Sequence, residues 1–143
     1  MIISFSVFKE KIENGEKCQT IRKYSAAQYR RYLNCWKKRE TTGRYNLFWH
    51  NPRNGGQRIK DVVPADRPYL ISFHRSYGKM NVNILTKDGL EQGKDYFRDS
   101  KFILSDLAKD DGFKNASEMW QWFEEHYGKD MFQSKFIVIR WEK

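Results

Sequence analysis

The sequence predicts an α+β domain, a small mixed β-barrel flanked by helices. Three observations carry this. Short apolar stretches of strand length recur between turn residues. Amphipathic helical patterns lie near both ends. The chain has 143 residues, 16% of them aromatic, enough for one domain (1–143) with a real core. The pattern itself does not dictate that the strands close into a barrel.

The elements follow in order. Met1–Val7 alternates apolar residues (Ile3, Phe5, Val7) and reads as a strand, and Phe8–Asn14 reads as about two helical turns. Gly15 sits where a helix needs a left-handed C-terminal residue. The chain re-extends through Cys18–Arg22, with Thr20 and Arg22 on one face and Lys17 at the mouth of the turn. Ser25–Glu40 is a helix that Ser25 caps. Tyr29, Tyr32, Leu33 and Trp36 form its apolar stripe, and Arg30, Arg31, Asn34, Lys37 and Lys38 another face. Strands follow at Arg44–His50, Arg58–Val63, Tyr69–His74 and Met80–Leu85, with turns at Thr42-Gly43 and Ser76–Lys79 and a basic loop at Asn51–Gly56. Lys87-Asp88-Gly89 reads as a further turn. Phe102–Lys109 is helical. Asn115 and Glu118 make a capping-box-like pair for a helix to Tyr127, whose inner stripe is Met119, Trp122, Phe123 and His126. Gly128 ends that helix, and Phe136–Trp141 is the last strand.

Charge narrows the function. The chain carries a formal +9, yet residues 17–60 hold twelve Lys or Arg against one acid, Glu40, for a net +11. One segment therefore holds the whole excess, the footprint of a polyanion-binding surface. The competing reading is a solvated charged face that keeps a basic protein soluble. No window is apolar enough for a membrane span and no secretory signal opens the chain. Cys18 and Cys35 form neither a disulfide framework nor metal-ligand spacing, so the expectation is a cytoplasmic protein with reduced thiols. His50, His74 and His126 also lack metal-like spacing, and no glycine-rich nucleotide loop is present, so no metal or cofactor is expected. His126 reads as a packed histidine and Trp36 as core. Lys17 beside Cys18 favours a lowered thiol pKa.

Lys17, Thr20 and Arg22 put a cation, a hydroxyl and a guanidinium into six residues, a candidate anion or nucleotide site. The plainer reading is a glycine-capped helix followed by a polar edge strand. The stretch Phe8-x-x-Lys11-Ile12-x-x-Gly15-x-Lys17-x-x-Thr20-Ile21-Arg22 resembles the N-terminal signature of ASCH domains, a branch of the PUA-like superfamily. Asp111-Gly112-Phe113, Ser117-Glu118-Met119, Phe123 and Tyr127-Gly128 look like that family's C-terminal helix and its lead-in, and Phe136–Trp141 like its last strand. The resemblance implies a curved, roughly six-stranded PUA-like barrel with helices closing its ends. A group of small bacterial amidohydrolases within the family acts on acetylated cytidine, and its Lys-x-x-Thr signature matches Lys17 and Thr20; its acid best matches Asp111, with Asp110 as neighbour. In such a site the lysine takes the threonine proton, the carboxylate assists, and Arg22 binds an anion or oxyanion. The chain departs from that group in Cys18, where threonine is frequent, in carrying aspartate for glutamate, and in its extra length around Ser25–Glu40.

The resulting expectation is an ASCH-like domain that binds RNA, with DNA left open as a second polyanion and a monomer assumed. Lys17, Thr20, Arg22 and Asp111 line the cleft. Arg22, Lys23, Arg30, Arg31, Lys37, Lys38 and Arg53 contact phosphates, and His50 beside the basic loop makes a nucleic-acid contact. Tyr45, Phe48 and Trp49 are core residues, or one of them, such as Trp49, stacks on an unstacked base. The alternative is a hydrolase using the same cleft, either acetylcytidine amidohydrolase-like or a ribonuclease, with Lys17, Thr20 and Asp111 catalytic. Both readings require Asp111 within side-chain reach of Lys17. An exposed Lys17 favours binding. A buried one, or one depressed by Arg22, favours catalysis.

Overall fold

The computed structural model describes residues 1–85, 95–97 and 100–143. The turn expected at Lys87-Asp88-Gly89 lies outside them. The described elements run β1 (Ile2–Phe5), α1 (Lys9–Glu13), β2 (Gln19–Lys23), α2 (Ala26–Lys37), β3 (Tyr45–Trp49), a 3-10 turn (Pro52–Asn54), β4 (Gln57–Val62), β5 (Tyr69–Ser76), β6 (Lys79–Leu85), β7 (Asp95–Phe97), α3 (Ser100–Asp110), α4 (Ala116–Tyr127), a 3-10 turn (Gly128–Phe132) and β8 (Lys135–Arg140). This is an α+β fold with two sheets, ordered β1-β3-β4 and β2-β8-β5-β6-β7.

Strand β8 explains the layering. Phe136, Ile137, Val138 and Ile139 are all fully buried, so both faces of the strand are covered. Phe136 and Val138 join a core with Ile71 and Phe73 of β5, Leu104 and Leu107 of α3, and Met119 and Phe123 of α4. Ile137 and Ile139 face the other way, into a second core with Ile3, Leu47, Tyr32 of α2 and Trp141. The larger sheet is thus sandwiched between α3 and α4 on one side and the smaller sheet with α2 on the other.

The two sheets meet along two seams. At one, Pro64 bridges to Trp141, flanked by the Ala65 N–H to Arg140 O (3.1 Å) and Glu142 N–H to Val63 O (2.9 Å) bonds. At the other, the edge strands β1 and β2 face each other across a gap, without backbone pairing among the described residues. A side chain crosses here instead, with Arg22 Nη2 donating to Ser4 O at 2.6 Å.

The local chemistry accounts for the element ends. Ser25 Oγ accepts from Gln28 N–H (3.1 Å), as an N-cap should. Helix α2 stops at Lys37, three residues before the expected Glu40. The Lys38 N–H is shared between Asn34 O and Cys35 O, and Gly43 N–H folds back on Lys38 O. Gly43 has no room for a side chain, since a Cβ there would lie 2.1 Å from Cys35 O. Strand β5 runs two residues past the expected His74 because Tyr77 (φ 51°) and Gly78 (φ 72°) form a tight hairpin turn into β6. Asn115 caps α4 by accepting from Glu118 N–H at 2.9 Å. No described helix is long and apolar enough to cross a membrane.

Candidate functional site

The open seam between β1 and β2 holds a pocket of about 160 Å3. Lys17, Thr20 and Arg22 enter it from β2 and its lead-in, Asp111 and Phe113 from the end of α3, and Trp122, His126 and Tyr127 from α4. Residues 94 apart in sequence therefore meet, with Lys17 Nζ 3.3 Å from Asp111 Oδ2.

The end of α3 positions Asp111. The Phe113 N–H donates to Ala108 O (2.9 Å) and the Gly112 N–H to Lys109 O (3.0 Å), with Gly112 at φ +100°. These are the two bonds of a Schellman motif, with glycine at its left-handed position and Asp111 as the C-cap. Such an end leaves carbonyls in need of donors. The neighbouring segment supplies them: Cys18 N–H donates to Asp110 O (2.9 Å), Lys17 Nζ to Asp111 O, and Lys11 Nζ to Gly112 O (2.6 Å). The lysines of the N-terminal motif thus seat the C-terminal acid.

Lys17 is not at a turn mouth but buried at the pocket base, only 2% exposed. The turn after α1 folds it inward, its N–H bonding Lys11 O (2.9 Å). The Phe5 and Phe8 rings stand 5.6 and 5.4 Å from Nζ. Burial pushes its amine below the ordinary lysine range; Asp111 pulls the other way without cancelling this, and Arg22 pushes it down further. Burial likewise raises Asp111 to about 6 against the opposing charge of Lys17. Both partners move toward their neutral forms, so desolvation outweighs their attraction. Asp111 Oδ1 is buried with no hydrogen-bond partner.

Thr20 and Arg22 share a face, as alternation requires, and the Arg22 Nε donates to Thr20 Oγ1 at 3.1 Å. An arginine on a hydroxyl oxygen favours its deprotonated form. Cys18 points away from the pocket. Burial, followed by the charge of Asp110, raises its thiol pKa, opposite to the expectation from its sequence neighbour Lys17. Lys17 and Cys18 both precede β2, and at the thiol burial and Asp110 outweigh the lysine next to it in sequence.

The basic residues form a separate surface. Lys23, Arg30, Arg31, Lys37, Lys38 and Arg53 are exposed, and none lines the pocket. Trp49 is half-buried and His50 exposed, their rings 4.5 Å apart. They stand near the pocket rim, since Phe5 pairs with Trp49 and the His50 N–H donates to Phe5 O (2.8 Å).

His126 is exposed rather than packed: in the last turn of α4 it is Tyr127 that turns to the core, its ring against Phe123 and Phe136. Its ring stacks on Trp122 at 4.6 Å and 10°, on the pocket wall. Trp36 is half-buried, with the Arg39 guanidinium 4.2 Å from its ring. The sequence reading missed Phe5, Phe8 and the Phe113–Trp122 wall as pocket residues. Their aromatic spacing reads equally well as core. Among the described residues no group of three His, Cys, Asp or Glu side chains is placed to hold a metal ion. No family model matches the chain, and neither a curated protein nor a solved structure does.

Proposed function

We propose that the pocket is a hydrolytic site for an acyl amide carried on a nucleoside, of the acetylcytidine amidohydrolase type. The observation that carries this reading is the buried Lys17–Asp111 pair, in which burial depresses the lysine. Burial disfavours the charged form that a phosphate contact uses, whereas a proton acceptor needs its neutral form populated. In the proposed reaction Thr20 Oγ1 attacks the acyl carbon and its proton passes to Lys17. The C–N bond then breaks, the amine leaves with a proton, and water releases the acid from Thr20. Arg22, bonded to Thr20 Oγ1, stabilises the alkoxide and the developing oxyanion. Asp111 fixes the Lys17 amine.

Size supports the same reading. About 160 Å3 falls below the ~300 Å3 at which drug-sized ligand pockets begin, and suits a planar base with a short substituent. The aromatic wall of Phe113, Trp122 and Tyr127 suits such a ring. We further propose a PUA-like barrel of ASCH type as the architecture, on the bridged seam at Pro64–Trp141 and the two sheets wrapped around a shared core. The free thiols of Cys18 and Cys35 suit a reducing, cytoplasmic setting.

RNA binding is kept as a second reading on a separate observation. Exposed Arg30, Arg31, Lys37 and Lys38 share one face of α2, and Arg53 lies on the loop that leaves the pocket rim. The test is incubation of the protein with acetylcytidine, following release of cytidine and acetate, with binding of cytidine and of short single-stranded RNA measured in parallel. Turnover that is lost in Lys17→Met supports the hydrolase. Binding of RNA without turnover of acetylcytidine replaces it with the binding reading.

A further inference from the structure

One of three non-glycine residues with left-handed backbone among the described residues borders this pocket. Phe8 has φ 64° and ψ 28°, a left-handed conformation that a bulky residue rarely adopts. It opens α1 with no side-chain cap, so capping does not explain it. Strain of this kind persists where the surroundings over-determine it, and it concentrates at functional sites. The surroundings are specific. The Phe8 ring fits the space left by Gly112, where a Cβ would stand 3.0 and 3.1 Å from Phe8 Cγ and Cδ2 and 3.4 Å from Lys17 Cδ. The ring also meets Phe113 edge-on at 5.1 Å and 85°, with Lys11 Nζ 5.3 Å from its centroid.

We infer that Phe8 is a positioning residue: its ring, seated against Gly112, closes Lys17 off from water on one side and holds the amine against Asp111. A ring near an ammonium acts in two directions. Its π face attracts the cation, while its bulk removes water and disfavours the charge. Lys17 is almost fully buried and its amine is depressed, so the second effect wins. The other groups that act on Lys17 are Asp111 at the α3 end, Arg22 on β2 and Cys18 beside it. Tyr127 and His126 lie across the pocket on α4, and Lys11 lies by the Phe8 ring. The Phe5 ring also covers Nζ, at 5.6 Å, and the Phe8 ring, at 5.4 Å, is the one seated against Gly112 and Phe113 at the Asp111 end, so it is the element to vary.

This inference deepens the proposed function and rests on Lys17 acting there as base, but it is measured without turnover. The protein is prepared with 13C-labelled lysine and the Lys17 ε-carbon shift is titrated, with Lys17→Arg giving the assignment. Phe8→Gly suits φ 64° at no steric cost and keeps the backbone path, and Phe8→Asn tolerates the same region. Phe8→Leu retains apolar bulk without a π face. The parent is expected to titrate below the ordinary lysine value of about 10.4. Phe8→Leu should stay close to the parent, while Phe8→Gly and Phe8→Asn should shift upward by about one pH unit or more. Other lysines, such as Lys129, should not move. A parental midpoint in both Phe8→Gly and Phe8→Asn, or an ordinary lysine midpoint in the parent, overturns the inference. A ring-dependent shift in a protein that does not turn over acetylcytidine leaves it standing and removes the hydrolase instead.

Discussion

Lys17 and Asp111 sit 3.3 Å apart, yet burial drives each toward its uncharged form. This has a consequence for stability that separates the pair from a surface ion pair. The Asp111 pKa is near 3.8 in the unfolded chain and is raised to about 6 on folding. Between those values the folded protein holds a proton that the unfolded chain has released. The favourable contribution is therefore complete below about pH 4 and is lost as pH rises through about 6. We expect stability to fall across that window by up to about 3 kcal/mol on account of this one group. Asp111→Asn should flatten the decline, as measured by denaturant unfolding at pH 4, 5, 6 and 7. An unchanged profile in Asp111→Asn would assign the decline to other groups. The catalytic reading adds that Lys17 must be neutral to act, so its acid limb should lie below the ordinary lysine range. At this scale the residue types were legible in the sequence, but the state of Lys17 was not. Lysine at a glycine turn reads as exposed. Only the packing of Phe5, Phe8 and the α3 end around it reverses that.

Element by element, the sequence was most legible where caps and alternation act locally. Ser25 and Asn115 cap their helices as their residue types dictate. Gly15 at φ +85° ends α1, and Thr20 meets Arg22 across one strand face. The meeting of α3 with the Lys11–Cys18 segment was accessible only through the family resemblance, because helix-end carbonyls seeking distant donors leave no local pattern. Helix α2 offers a test of the second reading. Its basic residues Arg30, Arg31, Lys37 and Lys38 are solvated, and Tyr32 anchors its inner face at 6.1 Å from Tyr45. Replacing all four with Gln should leave the melting temperature nearly unchanged, since exposed charges contribute little. If the face binds RNA, the parent should show a slope of about −3 to −4 for log affinity against log salt, and the variant a shallower one. Equal slopes in parent and variant would reduce the helix to a charged solvent face.

For the whole molecule, the α+β class was legible from strand-length apolar runs and two amphipathic helices. The division into two sheets was not. It depends on which strands pair, and β1 pairs in parallel with β3 while β2 pairs with β8 at the far end of the chain. Those long-range pairings leave β1 and β2 as facing edges, and the pocket is the gap between them. The fold therefore supplies the site by leaving one seam unpaired and lining it with residues from both ends of the sequence. In the proposed reaction Thr20 attacks the substrate there. The most direct measurement compares acetylcytidine turnover in the parent, Thr20→Ser and Thr20→Ala, with cytidine binding followed in each. Serine keeps a hydroxyl beside Arg22, so Thr20→Ser should stay within about tenfold of the parent, while Thr20→Ala should lose at least about a thousandfold and still bind cytidine. Turnover by Thr20→Ala at the parental rate, or no turnover by the parent, would contradict attack by Thr20.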